Sequence, residues 1–195
     1  MKLIKISESS YIWYTKLHHM IGDGFSFKLL FEKVSHYYQE LQAGNKLARD
    51  QKASYLDYID WEKTYRNSDD FVADKQFWKS KFQNEAPDQI FAKNKQNPKI
   101  EKLGFDLTSE QVDQINQSAR ELGVSSYHIY LGTYAYLLGK FFFKETVSIG
   151  IPVLNRTNAK QKKTIGAFMN VVPVCINLNG LESINDFFKA VKKEV

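Results

Sequence analysis

The protein is a chain of 195 residues, and 43% of them are hydrophobic, which is enough to form the core of one ordinary domain or of two small ones. With 27 Lys and Arg against 22 Asp and Glu, the formal net charge is +5. This charge is spread along the chain, so we expect no nucleic-acid partner. Cys175 is the only cysteine, which excludes an intrachain disulfide and favours a reducing, cytoplasmic location.

Patterns typical of targeting segments and metal sites are not found in the sequence. No apolar stretch approaches the ~18 residues of a membrane-spanning helix, and residues 1–5 do not open a signal peptide. No cysteine or histidine spacing is typical of a zinc site. We therefore expect no membrane partner, no metal and no directly bound cofactor.

The first predicted elements lead to a run of ionisable residues. Alternating apolar residues over 2–7 and 10–17 predict two strands that can pair as a hairpin. The second strand ends at HHMIGDG, residues 18–24, which we call the histidine loop, and a helical pattern begins near Phe25. A strand, a tight loop and a helix in this order place the ionisable groups where α/β folds often carry binding and catalytic residues.

Three helices are predicted after the histidine loop, because apolar residues recur at three- and four-residue steps over 25–41, 54–66 and 70–82. Asp23 or Ser26 could cap the first of them. Aromatic residues are frequent in the second and third helices, and amphipathic packing against a core is sufficient to explain most of them.

The second half of the chain alternates helices and strands. It begins with a stretch at 84–99 that contains proline and asparagine and is the best candidate for a crossover between two domains. A helix that begins near Ser125 is apolar nearly all round, so we expect it to be buried, including His128. The other predicted elements are strands over 99–107, 146–153 and 171–176, a helix over 108–122 with a Thr108–Gln111 capping box, and a final helix from 183.

The residue types in the histidine loop suit proton transfer. A neutral imidazole accepts a proton near pH 7, and a carboxylate such as Asp23 can fix a histidine tautomer or hold the loop by pairing with a cation. Gly22 and Gly24 can adopt positive φ and let a substrate approach the backbone. A histidine pair beside a glycine turn is also compatible with a structural role, so these residues alone leave both interpretations open.

The spacing His18-His19-x-x-x-Asp23-Gly24 resembles the HHxxxDG motif of condensation domains of nonribosomal peptide synthetases and of the wider superfamily that includes chloramphenicol acetyltransferase. Two later segments resemble further condensation-domain motifs in the family's order, GIPVLNR at 150–156 and IGAFMNVVPV at 165–174. The last departs mildly from the family's pattern near its end. The aromatic helical segment is similar as well, so the resemblance covers nearly the whole chain.

The resemblance implies an α/β fold, an α+β two-layer sandwich of the chloramphenicol acetyltransferase (CoA-dependent acyltransferase) type with an active-site tunnel between two lobes. It implies amide (peptide) bond formation between a carrier-protein-bound acyl or peptidyl thioester and an aminoacyl thioester. Phosphopantetheine would be presented by the carrier proteins, next to adenylation domains. The heterocyclization branch is disfavoured because it replaces the histidine pair, and the usual companion sequences of the epimerization branch are not evident.

The resemblance also implies roles for individual residues. His19 would take a proton from the acceptor amine or position that amine, whereas His18 is usually structural. Asp23 typically pairs with Arg156, and Gly24 permits close passage of the pantetheine arm. The predicted site residues are His18, His19, Asp23 and Gly24 at the catalytic centre, with Gly22, Arg156 and Asn170 binding substrate or supporting the site.

Complete condensation domains are considerably longer than this chain, so we expect an incomplete two-lobe domain. Residues 1–84 would end the first lobe, 85–99 would be the crossover linker, and 100–195 would begin the second lobe. The missing parts of the condensation domain would then come from a partner. The alternatives are a related HHxxxDG acyltransferase that acts on a free acceptor and a truncated, non-catalytic docking or scaffold fragment.

Overall fold

The computed structural model describes residues 1–47, 53–83, 102–180 and 182–195, and within them it mixes helices with strands, as expected of an α/β fold. Short 3-10 helices lie at His19–Ile21 and Gln161–Lys163. The strands are β1 (Lys2–Lys5), β2 (Tyr11–Tyr14), β3 (Thr146–Val153) and β4 (Asn170–Asn177), and the helices are α1 (Gly24–Gln42), α2 (Tyr55–Arg66), α3 (Asp69–Lys81), α4 (Ser109–Glu121), α5 (Ser126–Phe142) and α6 (Ile184–Glu194).

The chain divides into two compact units, and the first, which we call the N-terminal unit, contains residues 1–76 together with 152–170. Its strands β1 and β2 form the predicted hairpin, and they are antiparallel. The indole ring of Trp13 in β2 packs edge-on against Phe31 of α1, with 5.1 Å between the ring centroids. The hairpin is therefore attached to the helix that follows the histidine loop.

Helix α2 also packs within the N-terminal unit. Ser54 caps it by accepting a hydrogen bond from the backbone N–H of Leu56. The rings of Tyr55 and Tyr58 lie 5.0 and 4.5 Å from the ring of Phe168, centroid to centroid. The aromatic residues of this predicted helix thus fix it against the later segment of the same unit.

The second unit contains residues 77–151 and 171–195 and has an apolar core. Strands β3 and β4 form a two-stranded sheet. Helices α5 and α6 approach so closely that a Cβ added at Gly132 would lie 2.8 Å from the ring of Phe188. The buried core consists of Leu131, Ala135, Ile151, Val174, Ile176, Phe187, Phe188 and Val191.

The cap predicted for α4 is confirmed. The N–H of Gln111 donates to Oγ1 of Thr108 at 3.2 Å, and the N–H of Thr108 donates to Oε1 of Gln111 at 2.9 Å. Gly123 follows the helix with φ of +66°, which glycine adopts without the clash of a Cβ. Local sequence signals therefore determined both ends of this helix.

The strand predicted over 99–107 is wrong in its described part, because residues 102–107 have no regular secondary structure. Leu103 and Phe105 are 91% and 83% exposed. An alternating pattern forms a strand only where a neighbour completes its hydrogen bonds, and residues 102–107 pair with no strand in the described part of the chain. The predicted crossover at 85–99 lies outside the described residues.

The prediction that α5 is buried all round is also wrong. Its buried residues are Leu131, Gly132, Ala135 and Gly139, whereas six of its other apolar residues are 46–72% exposed. His128 is half-buried rather than in the core, and its Nδ1 accepts a hydrogen bond from the N–H of Ser125 at 3.0 Å. The exposed apolar residues are Tyr127, Tyr130, Tyr134, Tyr136, Leu137 and Phe141.

Candidate functional site

The histidine loop connects β2 to α1 through a 3-10 turn. His18 caps this turn, because its Nδ1 accepts a hydrogen bond from the N–H of Met20 at 3.2 Å. His19 is exposed, and its ring has no hydrogen-bond partner among the residues that the structure describes. The loop therefore holds one imidazole in a backbone contact and leaves the other open to solvent.

Asp23 ends the loop as the N-cap of α1 and is 1% exposed. Its Oδ1 accepts the backbone N–H and the hydroxyl of Ser26, each at 2.8 Å. Its Oδ2 accepts the backbone N–H groups of Phe168 and Met169, at 3.0 and 3.2 Å. The carboxylate that caps the start of α1 is thus also hydrogen-bonded to a segment more than 140 residues later in the chain.

Arg156 pairs with Asp23, as the resemblance implied. Its Nη2 lies 3.0 Å from Oδ1 and 3.2 Å from Oδ2 of Asp23, and both side chains are buried. Its Nη1 donates to the backbone carbonyls of Gln161 and Thr164, each at 2.6 Å. The predicted salt bridge is therefore confirmed, and the second nitrogen is used to hold a turn of the backbone.

Two aromatic rings flank the guanidinium. The Cζ atom of Arg156 lies 4.8 Å from the centroid of the Phe25 ring and 4.1 Å from that of Phe168. These contacts are favourable for a desolvated cation because the ring faces carry partial negative charge. They also exclude water from the ion pair, which strengthens its electrostatic attraction.

The electrostatics of Asp23 reflect two opposed effects. Burial by itself would raise the pKa of this carboxyl, but the hydrogen bonds from Ser26, Phe168 and Met169 favour the charged form and lower the pKa from 3.8 to about 2. Asp23 is therefore a carboxylate at neutral pH. Since its oxygens are occupied by buried donors, its chemical role in this arrangement is to hold the loop.

The two glycines of the histidine loop do not use the left-handed region. Gly22 is extended, with φ of −172°, and Gly24 also lacks a positive φ, so the expectation of positive φ is wrong for both. A Cβ added at Gly22 would lie 3.3 Å from Cβ of Ser26, whereas one at Gly24 would meet no heavy atom within 4 Å. Gly22 permits close packing, and Gly24 leaves open space beside the start of α1.

Local sequence patterns do not reveal all of this network. They indicate Ser26 only as a helix cap, yet its side chain is fully buried and hydrogen-bonds to Gly166. Gly166 is also covered by the ring of Tyr55, which leaves no space for a Cβ at that position. The Asp-x-x-Ser spacing was a signal for Ser26, but no local pattern connects Tyr55 to Gly166.

The remaining predicted site residue, Asn170, is exposed and begins β4. It directly follows the segment that Asp23 binds. Among the described residues, no group of three or more His, Cys, Asp or Glu side chains could hold a metal ion. Nor does any helix in the described ranges have the length and apolar character needed to cross a membrane.

The comparison with protein families identifies the group to which this architecture belongs. The family model of the condensation domain matches residues 1–195. The chain belongs to the condensation-domain family. This is the family that the three motifs of the sequence resemble.

Curated relatives share this condensation-domain sequence over nearly its full length. Surfactin synthase subunit 1 of Bacillus subtilis is 28% identical over 99% of the chain, and bacitracin synthase 2 of Bacillus licheniformis is 25% identical over 98%. The chain spans only 6% and 7% of the length of these two relatives.

Solved structures confirm the expected fold. The first condensation domain of the calcium-dependent antibiotic synthetase, in complex with a substrate analogue, matches with a TM-score of 0.78 at 22% identity. That match covers 91% of this chain and 40% of the solved one. The epimerization domain from the third module of tyrocidine synthetase B matches with a TM-score of 0.73 at 18% identity. The chain therefore has the condensation-domain type of α/β fold and corresponds to less than half of the solved domains.

Proposed function

We propose that this chain carries the histidine-bearing centre of a condensation domain that forms an amide bond. The donor would be an acyl or peptidyl thioester on a carrier protein, and the acceptor an aminoacyl thioester on a second carrier protein. The family assignment supports this chemistry. The observation that carries the assignment of the centre is the exposed imidazole of His19 in a loop anchored by the buried ion pair of Asp23 and Arg156.

The chemistry of the reaction suits an open imidazole. Attack of an amine on a thioester gives a tetrahedral species with an ammonium and an oxyanion. A base that removes a proton from nitrogen neutralises the ammonium, and the oxyanion then collapses to the amide carbonyl as the C–S bond breaks and the thiolate leaves. His19 would be that base or would position the amine, and His18 would fix the turn through its contact with Met20. The open space beside Gly24 is suited to a pantetheine arm.

Partners follow from the same proposal. Carrier proteins would present both thioesters on phosphopantetheine, adenylation domains would be neighbours, and the remaining parts of the condensation domain would complete the lobes. The proposal also includes a division of the chain into lobes: the end of the first lobe at 1–84, the crossover at 85–99 and the start of the second lobe at 100–195. It further includes a cytoplasmic location. The roles of Gly22, Arg156 and Asn170 are to support or line the site.

A condensation assay with loaded donor and acceptor carrier proteins tests the proposal. We expect His19→Ala to lower turnover by roughly 10²–10⁴-fold, because that is the usual contribution of a general base. His36→Ala is the matched control, since His36 is an exposed histidine of α1, and it should leave turnover unchanged. Turnover that survives His19→Ala would refute the assignment of the histidine.

A second candidate is a non-catalytic docking or scaffold role, since the oxygens of Asp23 are all used to hold the histidine loop. The two candidates differ in the response to the remaining domain parts. If the assay is repeated with the chain and a partner that supplies those parts, product formation supports the catalytic function. No product from the completed domain, with carrier proteins still bound, would support the scaffold function instead.

A further inference from the structure

The segment Gly166–Met169 is held by side chains, and we call it the clamped segment. It has no strand pairing, yet each of its four residues has a backbone group bonded by a side chain of α2 or of the start of α1. The hydroxyl of Ser26 accepts a hydrogen bond from the backbone N–H of Gly166 at 3.0 Å and lies 2.8 Å from the carbonyl oxygen of Gly166, to which it can donate. The Tyr55 hydroxyl donates to the carbonyl of Ala167 at 2.7 Å, and Asp23 accepts the next two N–H groups.

Ser26 uses its full hydrogen-bonding capacity in this arrangement. Its oxygen accepts from the N–H of Gly166 at 3.0 Å and from Nη2 of Arg156 at 3.2 Å. Its single hydrogen has two acceptors at 2.8 Å, Oδ1 of Asp23 and the carbonyl oxygen of Gly166. A hydroxyl has one donor and two lone pairs, so no capacity is left for water or substrate.

The same side chain contacts the histidine loop. Cβ of Ser26 lies 3.3 Å from the position that a Cβ at Gly22 would take, so Ser26 packs directly on the loop backbone. It is fully buried, and helix α1 fixes its backbone. One side chain therefore contacts the loop that carries His19 and the segment that leads to Asn170.

We propose that Ser26 is a positioning residue that fixes the clamped segment, and with it Asn170, relative to His19. It acts by keeping the carboxylate of Asp23 and the backbone of Gly166 in one mutual geometry. The catalytic part of this inference rests on the proposed function. If that function holds, displacement of a reacting group by about 1 Å would lower the rate by as much as 10²-fold. The structural part rests on the contacts alone.

The test compares Ser26→Ala with Ser80→Ala, a serine-to-alanine change at an exposed helical serine that donates to a carbonyl of its own helix. The first measurement is amide hydrogen exchange in the full chain. We expect Ser26→Ala to increase exchange by about tenfold or more at Phe168 and Met169, whose N–H groups bond to Asp23 and not to Ser26. Exchange in α5 and α6 should stay unchanged, and Ser80→Ala should change none of these rates.

The second measurement is the condensation assay, in which Ser26→Ala should lower kcat on the order of tenfold with KM nearly unchanged, because Ser26 does not contact substrate. Ser26→Thr, which keeps the hydroxyl, should recover part of both effects. If Ser26→Ala does not fold, Ser26→Cys, with a weaker hydrogen-bonding group of similar shape, replaces it in both measurements.

The outcomes separate this inference from the proposed function. Unchanged exchange at Phe168 and Met169, or an equal increase throughout the chain, would overturn the positioning role whatever the activity. If the completed domain with the unsubstituted chain forms no product while exchange at Phe168 and Met169 responds as expected, the proposed function fails and the clamp stands. A fall in kcat with unchanged exchange would also contradict the mechanism.

Discussion

The two units of this protein have opposite kinds of interior. Among the described residues, all the buried polar side chains belong to the N-terminal unit, where Phe168 is the one buried hydrophobic residue. The second unit has the other buried hydrophobic residues and no buried polar side chain in its described part. The buried polar residues are Asp23, Ser26, Arg156, Gln161 and Thr164.

The two interiors contribute differently to the positions of side chains and to the free energy of unfolding. Apolar contacts are non-directional, so the core of the second unit stabilises the unit in proportion to the area that it buries. Hydrogen bonds are directional, so a buried hydrogen-bonded network favours one arrangement of its members. In the described part of this network, Nε of Arg156 is buried without a hydrogen-bond partner. A buried ion pair is weak evidence for stability because desolvation offsets its attraction. The hydrogen-bonded interior of the N-terminal unit is thus suited to holding functional side chains in a fixed geometry. The apolar interior of the second unit is suited to stabilising that unit.

The largest effect is expected from removing the cation of the buried network. Arg156→Met keeps most of the side-chain volume but leaves the carboxylate of Asp23 buried without its partner, which should cost about 3–5 kcal/mol in the free energy of unfolding. Denaturant unfolding measures this change, with Arg120→Met, at an exposed arginine of α4, as the matched control.

The cause of that loss is tested by a second substitution at the partner. If the cost comes from the orphaned charge, Asp23→Asn combined with Arg156→Met should be less destabilised than the sum of the two single variants. Val191→Ala in the apolar core of the second unit should instead add to Arg156→Met without coupling. A loss for Arg156→Met no larger than that for Arg120→Met would contradict the contrast between the two interiors.

A smaller effect is expected from acid. The folded-state pKa of Asp23, about 2, lies below its ordinary value of 3.8, so Asp23 contributes stability that is present above pH 4 and is lost as the pH falls towards 2. At 1.36 kcal/mol for each pKa unit, the contribution is about 2 kcal/mol.

Unfolding free energies measured between pH 5 and pH 2 check this expectation. Asp23→Asn should remove most of the pH dependence in this range, whereas Asp60→Asn, at an exposed carboxylate of α2, should leave it nearly unchanged. The same slope in Asp23→Asn and in the unsubstituted protein would show that another group controls the acid response.

The smallest effect is expected at a strained position in the second unit. Phe143 follows α5 in the left-handed conformation, with φ of 55° and ψ of 43°, and its side chain is 93% exposed. Phe143→Gly should stabilise the protein by about 1 kcal/mol, because glycine adopts this conformation without a Cβ clash. Thermal unfolding measures the change.

Phe143→Ala is the control for that prediction. Alanine removes the exposed ring but retains the Cβ, so it should leave the melting temperature close to that of the unsubstituted protein. Equal stabilisation by alanine and glycine would mean that the ring, and not the backbone strain, is the source of the effect.

The sequence by itself determined the local features of the protein. The capping box of Thr108 and Gln111 and the starts of α1 and α6 followed from patterns of a few residues, because their hydrogen bonds close within a turn. The hairpin followed from two alternating segments that lie close together in the chain. The pairing of Asp23 with Arg156 was predicted through the family resemblance, since nothing local connects residues 133 positions apart.

Tertiary structure decided the rest. It made Ser26 a member of the buried network rather than a simple cap, placed Tyr55 over Gly166, and left one face of α5 exposed. It also left residues 102–107 without a strand partner in the described part of the chain. The physical reason is that burial and hydrogen-bond satisfaction depend on neighbours from distant parts of the chain, and a local pattern states only what each residue could contribute once such neighbours are in place.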